Sequence, residues 1–153
     1  MLKQFLTTSP SQTKKLAKSF VKEIFKNNFK KTATIIGLIG DLGSGKTTFL
    51  QGFVKGLNIK EKILSPTFVL IKKYKIKNIK YKIQNFYHID FYRIEKSKEI
   101  LDLDFKKIIF NNENIVAIEW ANKIKKLLPK NTIWINFQFI DKTKRKIIMT
   151  KKD

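Results

Sequence analysis

Gly40-Asp-Leu-Gly-Ser-Gly-Lys-Thr47 decides the reading of this chain. It satisfies the phosphate-loop pattern G-x-x-x-x-G-K-[ST], which requires an apolar strand before it and a helix after it. Both flanks are present. Thr32-Ala-Thr-Ile-Ile-Gly-Leu-Ile39 is a short apolar run suited to a buried central strand, and residues 47–56 read as a helix. The chemistry accounts for each residue type. Gly40, Gly43 and Gly45 let the backbone curl so that its N–H groups face a phosphate. The helix beginning near Lys46 adds its positive dipole end at the same place. Lys46 is placed to bridge β- and γ-phosphates, and the Thr47 hydroxyl to hold Mg²⁺.

Downstream, Ile115-Val-Ala-Ile-Glu119 is a second continuous apolar run, ending in an acid. In a parallel sheet Glu119 emerges at the same carboxyl edge as the loop, where a phosphate-loop enzyme needs a metal-side carboxylate. His88-Ile-Asp-Phe-Tyr-Arg93 supplies a second acid. As a strand it places His88, Asp90 and Tyr92 on one face, with Asp90 orienting water or holding the metal through one. The bland alternative is a strand end with Asp90 paired to Arg93. Ser65-Pro66-Thr67 falls where such enzymes keep a γ-phosphate-sensing switch, although alone it is only a turn.

Outward from these motifs, Ser9-Pro10-Ser11-Gln12 caps a helix carrying Leu16, Phe20 and Ile24 with Ala17 and Val21. Residues 68–71 and 79–89 read as two strands joined around Lys77-Asn78. Residues 95–110 are helical in part, and 121–128 form a helix stopped at Pro129. Residues 132–140 and 145–150 form a terminal hairpin. The expected fold is α/β: a single phosphate-loop domain over residues 1–153, with a central, mostly parallel sheet, antiparallel additions and helices on both faces.

Composition narrows the function. The chain has 153 residues, no cysteine and one histidine, so disulfides, thiolate zinc sites, cysteine nucleophiles and histidine cages are excluded. No segment reaches the roughly 18 to 20 apolar residues of a bilayer span, and the start lacks the apolar core of a secretory signal. A cytoplasmic protein without membrane contact is expected. The formal charge of +21 invites a nucleic-acid reading. Yet all but two of the 33 basic residues are lysine, alongside abundant Ile, Asn and Phe. Phosphate grips usually draw on the planar fork of arginine as well, so AT-rich coding accounts for this surface at least as well.

Gly40-Asp-Leu-Gly-Ser-Gly-Lys-Thr-Thr-Phe49, Ser65-Pro-Thr-Phe68, His88-Ile-Asp-Phe-Tyr-Arg93 and Glu119-Trp120 occur in that order. Together they resemble the TsaE (YjeE) family of bacterial ATPases, needed for threonylcarbamoyladenosine in tRNA. The resemblance spans nearly the whole chain. It implies a Mg²⁺-dependent ATPase of weak intrinsic turnover that acts with TsaB and TsaD, the latter transferring the threonylcarbamoyl group to adenosine 37, so that tRNA is an indirect partner. By position it implies that Asp41, Leu42, Gly43, Ser44, Gly45, Lys46, Thr47 and Thr48 hold ATP. Thr47 and Glu119 are then metal-side residues, and Lys46, Asp90 and Glu119 catalytic. Thr67 becomes a switch, and Trp120 lies beside the nucleotide or a partner surface. Adenine is expected near Pro10 and Ser11 and the terminal hairpin. Ser44 stands where alanine is usual, and Ala121 where proline often follows Glu-Trp; neither removes a needed group.

Three other readings compete. A GTPase commonly needs Asn-Lys-x-Asp, and Asn122-Lys-Ile-Lys125 ends in lysine. A small-molecule or nucleoside kinase wants lid arginines, and the chain has only Arg93 and Arg145, neither obviously aimed at a γ-phosphate. A basic RNA-binding module draws on Lys72-Lys-Tyr-Lys-Ile-Lys-Asn-Ile-Lys-Tyr-Lys82, with Tyr74 and Tyr81 among the lysines. A solvated hairpin whose lysines discourage edge pairing accounts for that stretch equally well.

Overall fold

The computed structural model describes residues 1–26, 31–64, 70–77 and 82–151. Seven strands form one mixed sheet: β1 (Leu2–Thr7), β2 (Thr34–Ile39), β3 (Ile71–Lys75), β4 (Asn85–Asp90), β5 (Asn114–Glu119), β6 (Ile133–Phe139) and β7 (Arg145–Lys151). Their order is β1-β7-β6-β2-β5-β4-β3. The four central strands, β6, β2, β5 and β4, are mutually parallel, while β1, β7 and β3 add antiparallel edges. This is the expected α/β sheet.

The continuous apolar runs of β2 and β5 follow from their position, since a parallel strand covered on both faces has no solvent side. Every residue of β5 is buried. Alternate residues face alternate layers. Ile36, Leu38, Ile115, Ala117 and Phe86 pack with α1 (Pro10–Lys26) and α2 (Lys46–Gly56). Ile35, Val116, Ile118 and Ile89 pack on the other face with Phe105 and Ile109 of α3 (Phe105–Phe110) and with the 3-10 segments Ser97–Leu103 and Ala121–Leu127.

Helix α1 starts where its cap predicts. The Ser9 hydroxyl accepts the Gln12 N–H at 3.1 Å, and the Gln12 side chain accepts the Thr8 N–H at 2.8 Å. The reciprocal bond of the capping box thus lands one residue earlier than its usual place. Ala17, Phe20, Val21 and Ile24 are buried as expected.

Helices α1 and α2 cross at glycine. A Cβ on Gly52 would lie 2.3 Å from the Lys14 carbonyl oxygen and 2.4 Å from its Cα, backbone that cannot yield as a side chain can. Gly52→Ala is therefore expected to lose about 1–3 kcal/mol to overpacking, less the helix preference of Ala over Gly of about 1 kcal/mol. Urea unfolding should show a lower midpoint at unchanged slope, and an unchanged midpoint would refute the close crossing.

The structure departs from the sequence reading at four places. Strand β1 was not foreseen: only Lys3, Phe5 and Thr7 turn inward from this edge strand, too weak an alternation to separate from the start of α1. The strand expected at 68–71 runs instead over Ile71–Lys75, because an edge strand can carry lysines on its solvent side while Tyr74 alone is buried; residues 65–69 lie outside the described part. The second member, expected over 79–89, is β4 at Asn85–Asp90. The helix expected at 121–128 is a 3-10 segment with non-helical Ile124 inside it.

Candidate functional site

The phosphate loop leaves β2 at Gly40 and enters α2 at Lys46. Its curl rests on three glycines with positive φ: Gly40 at 154°, Gly43 at 75° and Gly45 at 104°. At Gly40 space is also decisive, because a Cβ would stand 2.7 Å from the Phe137 carbonyl oxygen. The Ser44 N–H donates to the Asp41 carbonyl at 3.1 Å, and the Phe49 N–H to that of Gly45 at 2.9 Å, closing the first helical turn. The first N–H groups of α2 thereby face the loop's concavity, where the helix dipole adds positive potential.

Strand register delivers the acids. Leu38 pairs with Glu119, and Glu119 with Asp90. Glu119 therefore ends β5 beside the strand that feeds the loop, and Asp90 ends β4 next to it. Glu119 shares the parity of Ile115 and Ala117, and Asp90 that of Phe86, so both face the layer in which α2 begins. Both are buried, Glu119 at 3% exposure and Asp90 at 8%. Asp90 Oδ1 accepts the Tyr92 N–H at 2.9 Å. Lys46 donates its ammonium to the carbonyls of Gly40 and Asp41 and lies 4.7 Å from the centre of the Trp120 ring. Burial pulls the Lys46 pKa below the ordinary lysine value, opposed by the charges of Glu119, Asp90 and Asp41.

A cleft of about 380 Å³ joins these groups. The loop and the start of α2 line it with Leu42, Gly43, Gly45, Lys46, Thr47 and Thr48, joined by Asp90, Tyr92, Arg93, Glu119, Trp120 and Arg145. Most of the expected nucleotide-side residues thus meet in one place. Asp41 is exposed at the loop's start, and Ser44 is buried with its hydroxyl unpartnered. Pro10 borders a smaller adjoining hollow with Thr13, Gly45, Thr48 and the hairpin residues Lys142 and Thr143, whereas Ser11 is exposed and does not line it. Ser65, Pro66 and Thr67 lie outside the described residues.

Tyr92 departs from its expected strand position. β4 stops at Asp90, and the chain turns, the Ile94 N–H donating to the Phe91 carbonyl. Tyr92 is left half-exposed, its ring 5.2 Å from that of Trp120. Trp120 itself holds a left-handed backbone at φ 58°, unusual for a bulky residue and the kind of strain that collects at functional sites. Lys123, from the rejected guanine motif, donates to the carbonyls of Tyr92 and Ile94 and so ties this turn to the segment after Trp120.

Two contacts went unread in the sequence. His88 is fully buried, with Nε2 3.0 Å from Glu119 Oε1; its alternation with Asp90 was visible, its partner 31 residues away was not. Arg145 reaches the loop across 102 residues, its guanidinium donating to the Gly43 carbonyl at 3.0 Å. The sequence expects no arginine obviously aimed at a γ-phosphate; both arginines of the chain line the cleft. The aromatic support for an RNA module also weakens: Tyr74 is 3% exposed and packs 5.9 Å from Phe86 in the core, while Tyr81 lies outside the described residues.

Among the described residues, no three His, Cys, Asp or Glu side chains gather as a metal cage. A Mg²⁺ ion at a nucleotide takes one or two protein oxygen ligands beside phosphates and water. Thr47, Glu119 and Asp90, oxygen donors on one cleft, fit such an ion. No helix among the described residues is long and apolar enough to cross a membrane.

Known proteins resemble this chain in sequence and fold. The family model described as "Threonylcarbamoyl adenosine biosynthesis protein TsaE" matches residues 7–147. The tRNA threonylcarbamoyladenosine biosynthesis protein TsaE of Rickettsia typhi is 37% identical over 146 residues, covering 95% of this chain and 92% of its own. That of Bacillus subtilis is 35% identical over 144 residues, covering 94% and 82%. The crystal structure of YdiB from Bacillus subtilis superposes with a TM-score of 0.70 at 30% identity, covering 99% of this chain and 86% of that one.

Proposed function

The chain belongs to the TsaE family of tRNA threonylcarbamoyladenosine biosynthesis, and on that premise we propose that it is a Mg²⁺-dependent ATPase required for formation of that nucleoside at position 37 of tRNA, acting with TsaB and TsaD. The observation that carries the reading is the meeting of a glycine-curled phosphate loop with two buried carboxylates on adjacent strand ends. In this reading the loop's N–H groups and the start of α2 hold the phosphates, and Lys46 swings from its carbonyls to the β- and γ-oxygens. Thr47 and Glu119 would hold Mg²⁺, and Asp90 would orient water at the γ-phosphate. The ion, when bound, neutralises charge on the phosphate oxygens. Positioning and charge do the rest, because phosphoryl transfer leaves little covalent work to the protein.

The test combines the chain with TsaB, TsaD, ATP, Mg²⁺, a threonylcarbamoyl donor and unmodified tRNA. Multiple-turnover threonylcarbamoyladenosine that needs both this chain and hydrolysable ATP is the expected result. Equal product without the chain would overturn the reading. Phosphate moved instead onto an added nucleoside would make it a kinase, and salt-sensitive tRNA binding by the chain alone, without ATPase activity, a basic module.

A further inference from the structure

We propose that Arg145 is a positioning residue for the nucleotide: a clamp by which the β6–β7 hairpin fixes the tip of the phosphate loop. The proposal deepens the nucleotide reading above and rests on it.

Four observations meet here. First, the chain uses lysine for all but two of its 33 basic residues, and Arg145 is one of the two exceptions. Second, its guanidinium makes a forked set of bonds that an ammonium cannot copy. Nη1 donates to the carbonyls of Asp141 at 2.6 Å and Lys144 at 2.9 Å, and Nη2 to that of Gly43 at 3.0 Å. Third, the fork is held in place. The guanidinium carbon lies 4.6 Å from the centre of the Phe139 ring, at cation–π distance. Fourth, the hairpin end is itself rigid. Asp141 Oδ1 accepts the N–H groups of Thr143 and Lys144 at 2.9 and 2.8 Å, bonds that also hold the Asp141 carboxyl below its usual pKa.

The consequence falls on one peptide plane. Gly43 has φ 75°, and a Cβ there would meet nothing within 4 Å, so no packing restrains this glycine from flipping. The plane between Gly43 and Ser44 is instead bonded at both ends. Its carbonyl accepts from Arg145, and its N–H donates to Asp41. Fixing that plane presets the curl that must receive phosphates, so the ordering cost is met before the nucleotide arrives. Because the loop backbone cradles the α- and β-phosphates, the clamp serves ADP and ATP alike.

The experiment titrates the full chain, with Mg²⁺, against ADP and ATP calorimetrically, for wild type, Arg145→Gln and Arg145→Lys. Amide hydrogen exchange of the nucleotide-free proteins is measured alongside. Both variants should raise both dissociation constants by about tenfold, the equivalent of about 1.4 kcal/mol, and by like factors for the two nucleotides. Exchange should quicken at residues 43–45 while the α1 and α2 core amides keep their protection. Wild-type affinity in Arg145→Lys would mean that charge alone suffices, and would overturn the clamp. Loss confined to ATP would overturn it too, as the mark of a direct γ-phosphate contact. So would unchanged affinity in both variants, or loss of protection throughout the chain. A wild type that binds neither nucleotide would refute the nucleotide reading, and the clamp with it.

Discussion

Lys46→Met is expected to abolish ATP-dependent support of tRNA modification and to lower hydrolysis by about 10²–10³-fold, the usual cost of losing one preorganised charge at a reacting group, while the protein stays at least as stable as wild type. The second half of that expectation comes from burial. Lys46 is 5% exposed, and desolvation depresses its pKa despite Glu119, Asp90 and Asp41. With the folded pKa below the unfolded one, the native state binds fewer protons than the unfolded chain between the two values. Stability therefore rises with pH across that interval. Below that interval the charged lysine is a net burden on folding. Methionine keeps the length and removes the charge, so thermal unfolding without nucleotide should show an equal or higher midpoint. The same shift predicts that nucleotide affinity in the wild type falls with rising pH earlier than an ordinary lysine would dictate. A variant that loses activity only by unfolding would refute the argument, as would one that still supports modification.

The legible part of this molecule was whatever the chain states locally. The loop, its flanking strand and helix, and Glu119 at the end of an all-apolar run each need about ten consecutive residues to be read, and parallel-strand burial makes those runs unambiguous. The cap at Ser9 is equally local. What escaped reading depends on pairs distant in sequence. Strand β1 exists because β7 offers it an edge 138 to 148 residues later and not because Leu2–Thr7 alternates well. Arg145 looks like one more cation of a basic hairpin until that hairpin is laid against Gly43. Tyr74 is a different case: among lysines it supports an RNA-binding module no better than a solvated hairpin, and the antiparallel pairing of β3 with β4 turns it toward Phe86. Local sequence could not separate the roles of Asp90 and Glu119 either, since both are acids at strand ends.

Their surroundings differ, and under the proposed roles Glu119→Gln and Asp90→Asn are expected to fail differently. Glu119 is the more enclosed. One oxygen is taken by His88 at 3.0 Å, and the side chain is 4% exposed. His88 holds one carboxylate oxygen of a residue that lines the cleft, and in the proposed role it would orient the metal ligand from behind. Glutamine preserves the shape and can still bond His88, but it has no charge for Mg²⁺. For Glu119→Gln, the Mg²⁺ concentration giving half-maximal hydrolysis should rise about tenfold or more, within the 10–100-fold range for disturbed metal sites. Asp90 spends one oxygen on the Tyr92 N–H at the turn that leaves β4, next to the cleft's open side. Asp90→Asn should lower the hydrolysis rate at saturating Mg²⁺ by about 10²-fold, the scale of a lost general base, with little change in the Mg²⁺ midpoint. Magnesium titrations of hydrolysis for the two variants provide the comparison. If the midpoint moves in Asp90→Asn and stays in Glu119→Gln, the roles are exchanged, and β4 rather than β5 carries the metal.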